Sequence, residues 1–482
     1  MEIIKLEKVN EVYNKVICEP GVGYEIKDYF TFKVPNYQFM PAYKNKLWDG
    51  NIYLFNPMNC LLYGGLTEQL EIFCKSRDYK LELLSDFSSD NMSVKETLDF
   101  VKSLNLPFQP REYQLEAFVR CVRSRRKMLL SPTGSGKSLI IYLLSRFYNL
   151  RTLIIVPTTS LIHQMASDFL SYGYSDPDNI HKIYQGQDKN LKSQFVISTW
   201  QSIFKQSKDW FSQFDVVIGD EAHLFKAKSL TSIMTKLETC KYRFGFTGTL
   251  DGSETHQLVL EGLFGPVKKI ITTSELIEQK HLSNFMIKCM SLQYPDDIKK
   301  ECSKYSFQQE MDFLVSNQER NKFITNLSLS LKGNTLLLFQ YVDKHGKVLY
   351  DMISNEHSDK DIYFVHGGID GNEREKIRNI VEKNNNSIII ASYGTFSTGI
   401  NIKNLHNIIF SSPSKSKVRN LQSIGRGLRL SDNKEQAVLY DISDDLSWKQ
   451  RKNFTLLHYI ERVKIYNEEQ FEYKTYKINI NT

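Results

Sequence analysis

The chain has 482 residues, 41% hydrophobic and 24% charged, which excludes a disordered or fibrous class and predicts about three globular domains. Its net charge of +7 permits an anionic polymer as partner without proving one; acids outnumber bases by three over residues 1–110, so the basic excess lies beyond them. Seven scattered cysteines without a C-x-x-C pair argue against structural zinc, and the absence of a signal sequence or of any ~20-residue apolar run predicts a soluble, cytoplasmic protein with no membrane partner.

From Lys15 to Lys80 short aromatic-rich runs alternate with turn signals. Tyr29–Val34 and Asn51–Phe55 read as strands, separated by Pro35-Asn36 and Trp48-Asp49-Gly50-Asn51. Leu66, Leu70 and Phe73 share one helical face. Residues 1–85 are therefore expected to form a small α+β module. Its Tyr43, Lys44, Lys46, Trp48 and Tyr53 interleave rings with bases, a pattern that suits unpaired nucleic acid. A small domain also needs large rings for its core, which accounts equally for most of them. Residues 86–110 hold a polar stretch, a short helix, Pro107 and Pro110, and read as a linker.

From Arg111 to about Leu282 apolar strands alternate with helical stretches: 128–130, 152–156, 195–198, 216–218 and 243–246. A second series follows at 335–339, 362–365, 387–391, 407–410 and 437–440. Each alternation predicts a parallel sheet covered on both faces. The expected organisation is a first α/β lobe at 111–282, a second at 283–446 and a helical tail at 447–482. Residues 251–330 are less regular, and the tail helix is expected from Trp448 to about Asn467.

Ser131-Pro132-Thr133-Gly134-Ser135-Gly136-Lys137-Ser138 joins the first of these strands to a helical run. A strand, a glycine-bearing turn ending Gly-Lys-Ser and a helix is the context of a nucleotide-phosphate loop. Gly134 and Gly136 let backbone N–H groups close on a polyphosphate, Lys137 brings charge to the β- and γ-phosphates, and Ser138 is a ligand for Mg²⁺. Ser131 stands where the first glycine is usual. Asp220-Glu221-Ala222-His223 follows the strand at 216–218. There Asp220 is placed to hold Mg²⁺ and Glu221 to activate water. An isolated acidic pair is otherwise a solvated turn.

Arg111-Glu112-Tyr113-Gln114, the loop at 131–138, Asp220 to His223, Phe246-Thr247-Gly248-Thr249 and Gln422-Ser423-Ile424-Gly425-Arg426-Gly427-Leu428-Arg429 occur in the order and rough spacing of superfamily 2 helicase motifs. The chain resembles that superfamily over some two-thirds of its length. Trp48-Asp49-Gly50, Ile154 to Thr159 and Ala391 to Ile400 resemble more particularly the UvsW helicases of T-even bacteriophages. The resemblance implies two tandem RecA-like parallel-sheet lobes behind the small N-terminal module. It also implies ATP as the nucleotide, with Arg111 and Gln114 on the adenine side and Thr133, Gly134, Ser135, Gly136, Lys137 and Ser138 on the phosphates. Arg426 and Arg429 are the implied stabilisers of charge on the transferring phosphate, and Thr158, Thr159, Thr199, Thr398 and Gly399 the implied strand contacts. Helix capping by the same threonines is an equally ordinary use of them.

The resulting expectation is an ATP-dependent DNA helicase acting on forks, Holliday junctions, displacement loops or RNA–DNA hybrids in recombination, repair and replication. A monomer moving 3′ to 5′ in a host bacterial cytoplasm is implied. Rival readings are a duplex translocase without strand separation, a restriction-enzyme motor, and a nucleic-acid binding or annealing protein with weak ATPase. Intact Lys137, Asp220, Glu221, Arg426 and Arg429 weigh against the last.

Overall fold

The structure, a computed structural model, describes residues 2–35, 37–87, 92–250, 254–356, 359–395, 402–412, 416, 423–425, 428 and 436–480. They form two compact units: residues 1–131 with 136–270, and residues 271–482 with 132–135.

The first unit begins with β1 (Ile3–Lys8), β2 (Tyr13–Ile17), a helix Pro20–Tyr29, β3 (Thr31–Lys33), β4 (Asn51–Tyr53), β5 (Phe55–Asn56), β6 (Leu61–Tyr63), a helix Thr67–Ser76 and β7 (Lys80–Leu83). In β1, Ile4 and Leu6 are buried and their neighbours Ile3, Lys5 and Glu7 exposed. This two-residue period belongs to a sheet with one solvated face. The sheet runs β5-β6-β2-β1-β7, and β3 pairs with β4 as a separate hairpin. The strand expected at Tyr29–Val34 is shorter, because Tyr29 closes the preceding helix.

The lobe that follows is one all-parallel sheet of β8 (Arg126–Leu130), β9 (Thr152–Val156), β10 (Ile180–Ile183), β11 (Phe195–Thr199), β12 (Val216–Asp220), β13 (Tyr242–Thr247) and β14 (Val267–Lys269). Their order is β10-β11-β9-β12-β13-β8-β14. Strands buried on both faces need no polar alternation, and Thr152 to Val156 are all buried. The outer strands β10 and β14 carry His181, Lys182, Lys268 and Lys269, which is why no apolar run announces them.

Described residues of the stretch expected as a linker, 86–110, pack onto the first lobe. The helix Val94–Ser103 has a Ser93–Glu96 capping box and buries Val101 in the same apolar cluster as Phe118 and Leu144. A second cluster runs unbroken from Ile4 and Leu6 through Leu66 and Phe73 to Leu263 and Phe264. Arg126 Nη2 donates to the Glu11 carbonyl at 2.7 Å and the Glu11 carboxylate at 3.4 Å, while the Glu11 N–H donates to the Glu238 carbonyl at 2.9 Å. The module is thus built onto the lobe.

The second unit is another all-parallel sheet: β15 (Asn284–Gln293), β16 (Thr335–Phe339), β17 (Asp361–Val365), β18 (Ser387–Ser392), β19 (Asn407–Phe410), β20 (Gln436–Asp445) and β21 (Tyr473–Asn479). Their order is β17-β18-β16-β19-β20-β15-β21. β15 starts at Asn284, close to the expected lobe boundary, while the compact unit itself starts at Ile271. β20 runs past the expected end at Tyr440 because its polar residues are satisfied inside. Asp441 receives Arg462 Nη2 at 2.7 Å and Tyr466 at 2.8 Å, and Asp444 receives Arg320 Nε at 2.8 Å and Tyr294 at 2.7 Å. Buried charges persist only when paired and hydrogen-bonded like this.

The tail is not wholly helical. Its helix starts at Phe454, six residues later than expected, with Trp448 in an isolated bridge to Arg451. Glu310 accepts from the N–H groups of Phe454 and Thr455 at 3.0 and 2.7 Å, which anchors that helix start. β21 then adds to the sheet beside β15. Among the described residues no helix is long and apolar enough to cross a membrane.

Candidate active site

β8 ends at Leu130, and the helix Lys137–Tyr148 begins seven residues later. The turn between them uses two left-handed glycines, Gly134 at φ +85° and Gly136 at φ +78°. Such angles are strained for other residues. At 136 a side chain is also blocked by space, since a Cβ would meet Gln114 Nε2 at 2.3 Å. Ser135 donates its hydroxyl to the Pro132 carbonyl at 2.7 Å, tightening the turn. Lys137 Nζ donates to the Ser131 carbonyl at 3.1 Å, so the lysine is folded back over the loop it belongs to. The Ser138 hydroxyl lies 2.7 Å from the Tyr172 hydroxyl, whose own proton burial holds up to about 12. Nothing in the local sequence points to Tyr172; only the packing of the helix Thr159–Ser171 brings it there.

Gln114 is buried in the first turn of the helix Glu112–Ser124. Its Oε1 accepts from the Arg111 N–H at 2.9 Å, and Arg111 Nη1 donates to the Tyr113 hydroxyl at 2.8 Å. The fold therefore brings the Arg111–Gln114 motif and Gly136 of the glycine-bearing turn together.

β12 delivers Asp220 at its C-terminal end, and Glu221 follows in a left-handed conformation at φ +51°. A carboxylate residue held there costs about 1 kcal/mol. Burial pushes the Asp220 carboxyl up to about 6; the Glu221 charge adds to this and Lys137 opposes it. His223 Nδ1 lies 2.9 Å from Thr247 Oγ1 and 3.3 Å from Glu221 Oε2. The Thr247 hydroxyl also lies 2.9 Å from the Thr249 carbonyl, within donating distance. His223, Thr247 and Thr249 are thus linked by close polar contacts, with the Glu221 carboxylate beside the histidine.

Of the expected strand-contact residues, those described fall just after or at strand ends. Thr158 caps the helix after β9, accepting from the Leu161 N–H at 3.4 Å. Thr159 opens that helix. Thr199 ends β11, largely buried, with its hydroxyl 2.9 Å from Ser202 Oγ. Thr398, Gly399, Arg426 and Arg429 lie outside the described residues.

Comparison with known proteins covers most of the chain. A family model described as DNA helicase UvsW, N-terminal, matches residues 4–84. One described as type III restriction enzyme, res subunit, matches 107–252, and one described as helicase conserved C-terminal domain matches 319–431. The ATP-dependent DNA helicase uvsW of Enterobacteria phage T4 is 35% identical, covering 97% of this chain and 97% of its own. The DNA 3′-5′ translocase XPB2 of Sulfurisphaera tokodaii is 26% identical, covering 69% and 81%. The crystal structure of T4 UvsW aligns at a TM-score of 0.52 with 32% identity, over 99% of this chain and all of that one.

Proposed function

We propose that this chain, which belongs to the UvsW family of ATP-dependent DNA helicases, uses ATP hydrolysis to remodel branched DNA. Forks, Holliday junctions and displacement loops are its substrates in this reading, with RNA–DNA hybrids as a further class. One observation carries it: the likeness to the phage helicase extends through the N-terminal module, which is built onto the lobe that holds the phosphate loop.

Lys137 leaves the Ser131 carbonyl to meet the β- and γ-phosphates, and Gln114 meets the adenine edge. Glu221 orients and deprotonates the attacking water. Mg²⁺ fits the donor set. Asp220 is pushed up by burial and by a second acid beside it, an excess of negative charge that a divalent cation relieves. Ser138 and Asp220 would hold the ion, which neutralises phosphate charge when bound. Arg426 and Arg429 are assigned to the transferring phosphate by their motif, and Thr158, Thr159, Thr199, Thr398 and Gly399 to the sugar–phosphate backbone without base reading. We place the protein as a monomer in a bacterial host's cytoplasm, moving 3′ to 5′ on the tracking strand.

Strand-displacement assays on a fork, a Holliday junction, an RNA–DNA hybrid and a linear duplex, with ATP and with a non-hydrolysable analogue, test the reading. ATP-dependent resolution of the branched substrates in preference to the linear duplex is expected. DNA-stimulated hydrolysis with no strand displaced anywhere would make the chain a duplex translocase instead.

A further inference from the structure

The hairpin of β3 and β4 carries a folded tip whose apolar side chains face solvent. From Val34 to Gly50 the backbone is bonded to itself: Val34 N–H to the Gly50 carbonyl at 2.9 Å, Tyr37 to Val34 at 3.1 Å, and Met40 to Tyr37 at 3.0 Å. The short helix Pro41–Lys44 closes with the Leu47 N–H on the Ala42 carbonyl and the Lys46 N–H on the Tyr43 carbonyl, both at 2.9 Å. This is a Schellman motif, and its left-handed position is normally glycine. Here Lys46 takes it at φ +56°.

The rings one would assign to DNA are mostly used in building the tip. Tyr37 and Tyr43 meet edge to face at 4.7 Å, and Gly50 passes so close beneath Tyr37 that a Cβ would lie 2.4 Å from the ring. Trp48 donates its indole N–H to the Asn51 carbonyl at 2.7 Å, and Tyr53 bonds to the Asp49 carboxylate. The tip's most exposed large apolar side chains lie outside this network, Phe39 at 68% exposure and Leu47 at 81%, with Met40 less so at 39%. A Schellman motif ordinarily buries the apolar residue that follows its left-handed position; this one presents it. Residues 31–53 hold three lysines, Lys33, Lys44 and Lys46, against Asp49 alone, inside a region that is acidic by count.

We propose that Phe39 and Leu47 form a wedge that enters the base stack at a DNA junction, while Lys44 and Lys46 hold the flanking phosphates. Apolar wedges unstack base steps when a rigid support drives them in, and a self-bonded tip supplies that rigidity. The charge segregation picks DNA over an apolar protein partner as the occupant. The inference rests on the branched-DNA reading above and names the residues that act there.

The test uses full-length protein and a fork carrying 2-aminopurine at the first paired position. Without ATP, binding of wild type should raise the fluorescence as that base unstacks. Phe39→Ala/Leu47→Ala should lose this rise, and its fork unwinding should fall roughly tenfold. Its single-strand-stimulated ATPase and its melting temperature should match wild type, because both side chains are exposed. Phe39→Trp should keep the signal. Lys44→Ala/Lys46→Ala should instead weaken fork affinity and its salt dependence while bound complexes still unstack the base. A double alanine variant that unstacks and unwinds like wild type overturns the wedge, as does one that only binds the fork less. Wild type that hydrolyses ATP but unwinds no fork counts against the branched-DNA reading, and the fluorescence without ATP still decides the wedge.

Discussion

A Cβ on Gly65 would stand 1.9 Å from the carbonyl oxygen of Glu261. Gly65 belongs to the N-terminal module and Glu261 to the helix Glu254–Phe264 of the first lobe, and Gln69 Nε2 reaches the Glu261 carboxylate at 3.2 Å beside them. The neighbour is backbone, which cannot swing away. Gly65→Ala should therefore destabilise the first unit by about 1–3 kcal/mol. Thermal unfolding would check this, and a variant melting with wild type would show that the seam yields.

Lys137→Ala should cut ATP turnover on the order of a hundredfold or more, because one preorganised charge is lost from the phosphates. DNA affinity measured without nucleotide should change little. Turnover near the wild-type level would remove Lys137 from the phosphate site.

Glu221→Gln should keep nucleotide affinity and lose hydrolysis by roughly 10²–10⁴-fold. The amide preserves size and backbone angle, and Asp220 is left in place. Equilibrium binding of ATP beside single-turnover hydrolysis separates the two effects. Weakened binding with hydrolysis intact would reverse the roles given to the two carboxylates.

Asp220 sets a stability–activity trade with a definite pH sign. A carboxyl raised to about 6 binds its proton more tightly in the folded chain than in the unfolded one. Stability from this group is therefore present at low pH and is lost as the pH rises from the ordinary aspartate range through 6. Asp220→Asn removes the penalty, so the nucleotide-free variant should be more stable than wild type near pH 7.5 by on the order of 1 kcal/mol. The advantage should shrink by about pH 5, where wild type is protonated. ATP turnover should be lost throughout. A melting temperature at the higher pH below that of wild type would contradict the assignment.

The glycine-bearing turn at 131–138, the turn at Asp220–Glu221 and ten strands of the two lobes were legible because each is local: an apolar run, then a turn with its own residues. β15 and β21 were not, since Lys288, Lys474 and Lys477 interrupt them and only pairing across the sheet makes them strands. The polar end of β20 reads as a loop until Arg320 and Arg462, far away in sequence, neutralise Asp444 and Asp441. The His223–Thr247 contact joins two legible motifs through a distance that sequence spacing does not carry. The seam between module and lobe was hidden for the same reason, because its closest approach involves a glycine and a carbonyl oxygen.

That seam decides what truncation should do. One apolar cluster holds Leu6, Leu62 and Leu70 of the module together with Met128, Val217 and Phe264 of the lobe. Removing residues 1–85 would bare a contiguous apolar face on the lobe, beyond what soluble surfaces normally expose. It would also strip the partner from Arg126, whose guanidinium burial already holds below its ordinary range. The truncated chain should therefore melt well below the full chain, bind a hydrophobic dye, and lose ATPase together with unwinding. Function of the module is then read from surface variants that keep the seam, and the truncation reports only the fold. A soluble, dye-negative truncation with full single-strand ATPase would show instead that module and lobe fold independently and that the shared cluster contributes little.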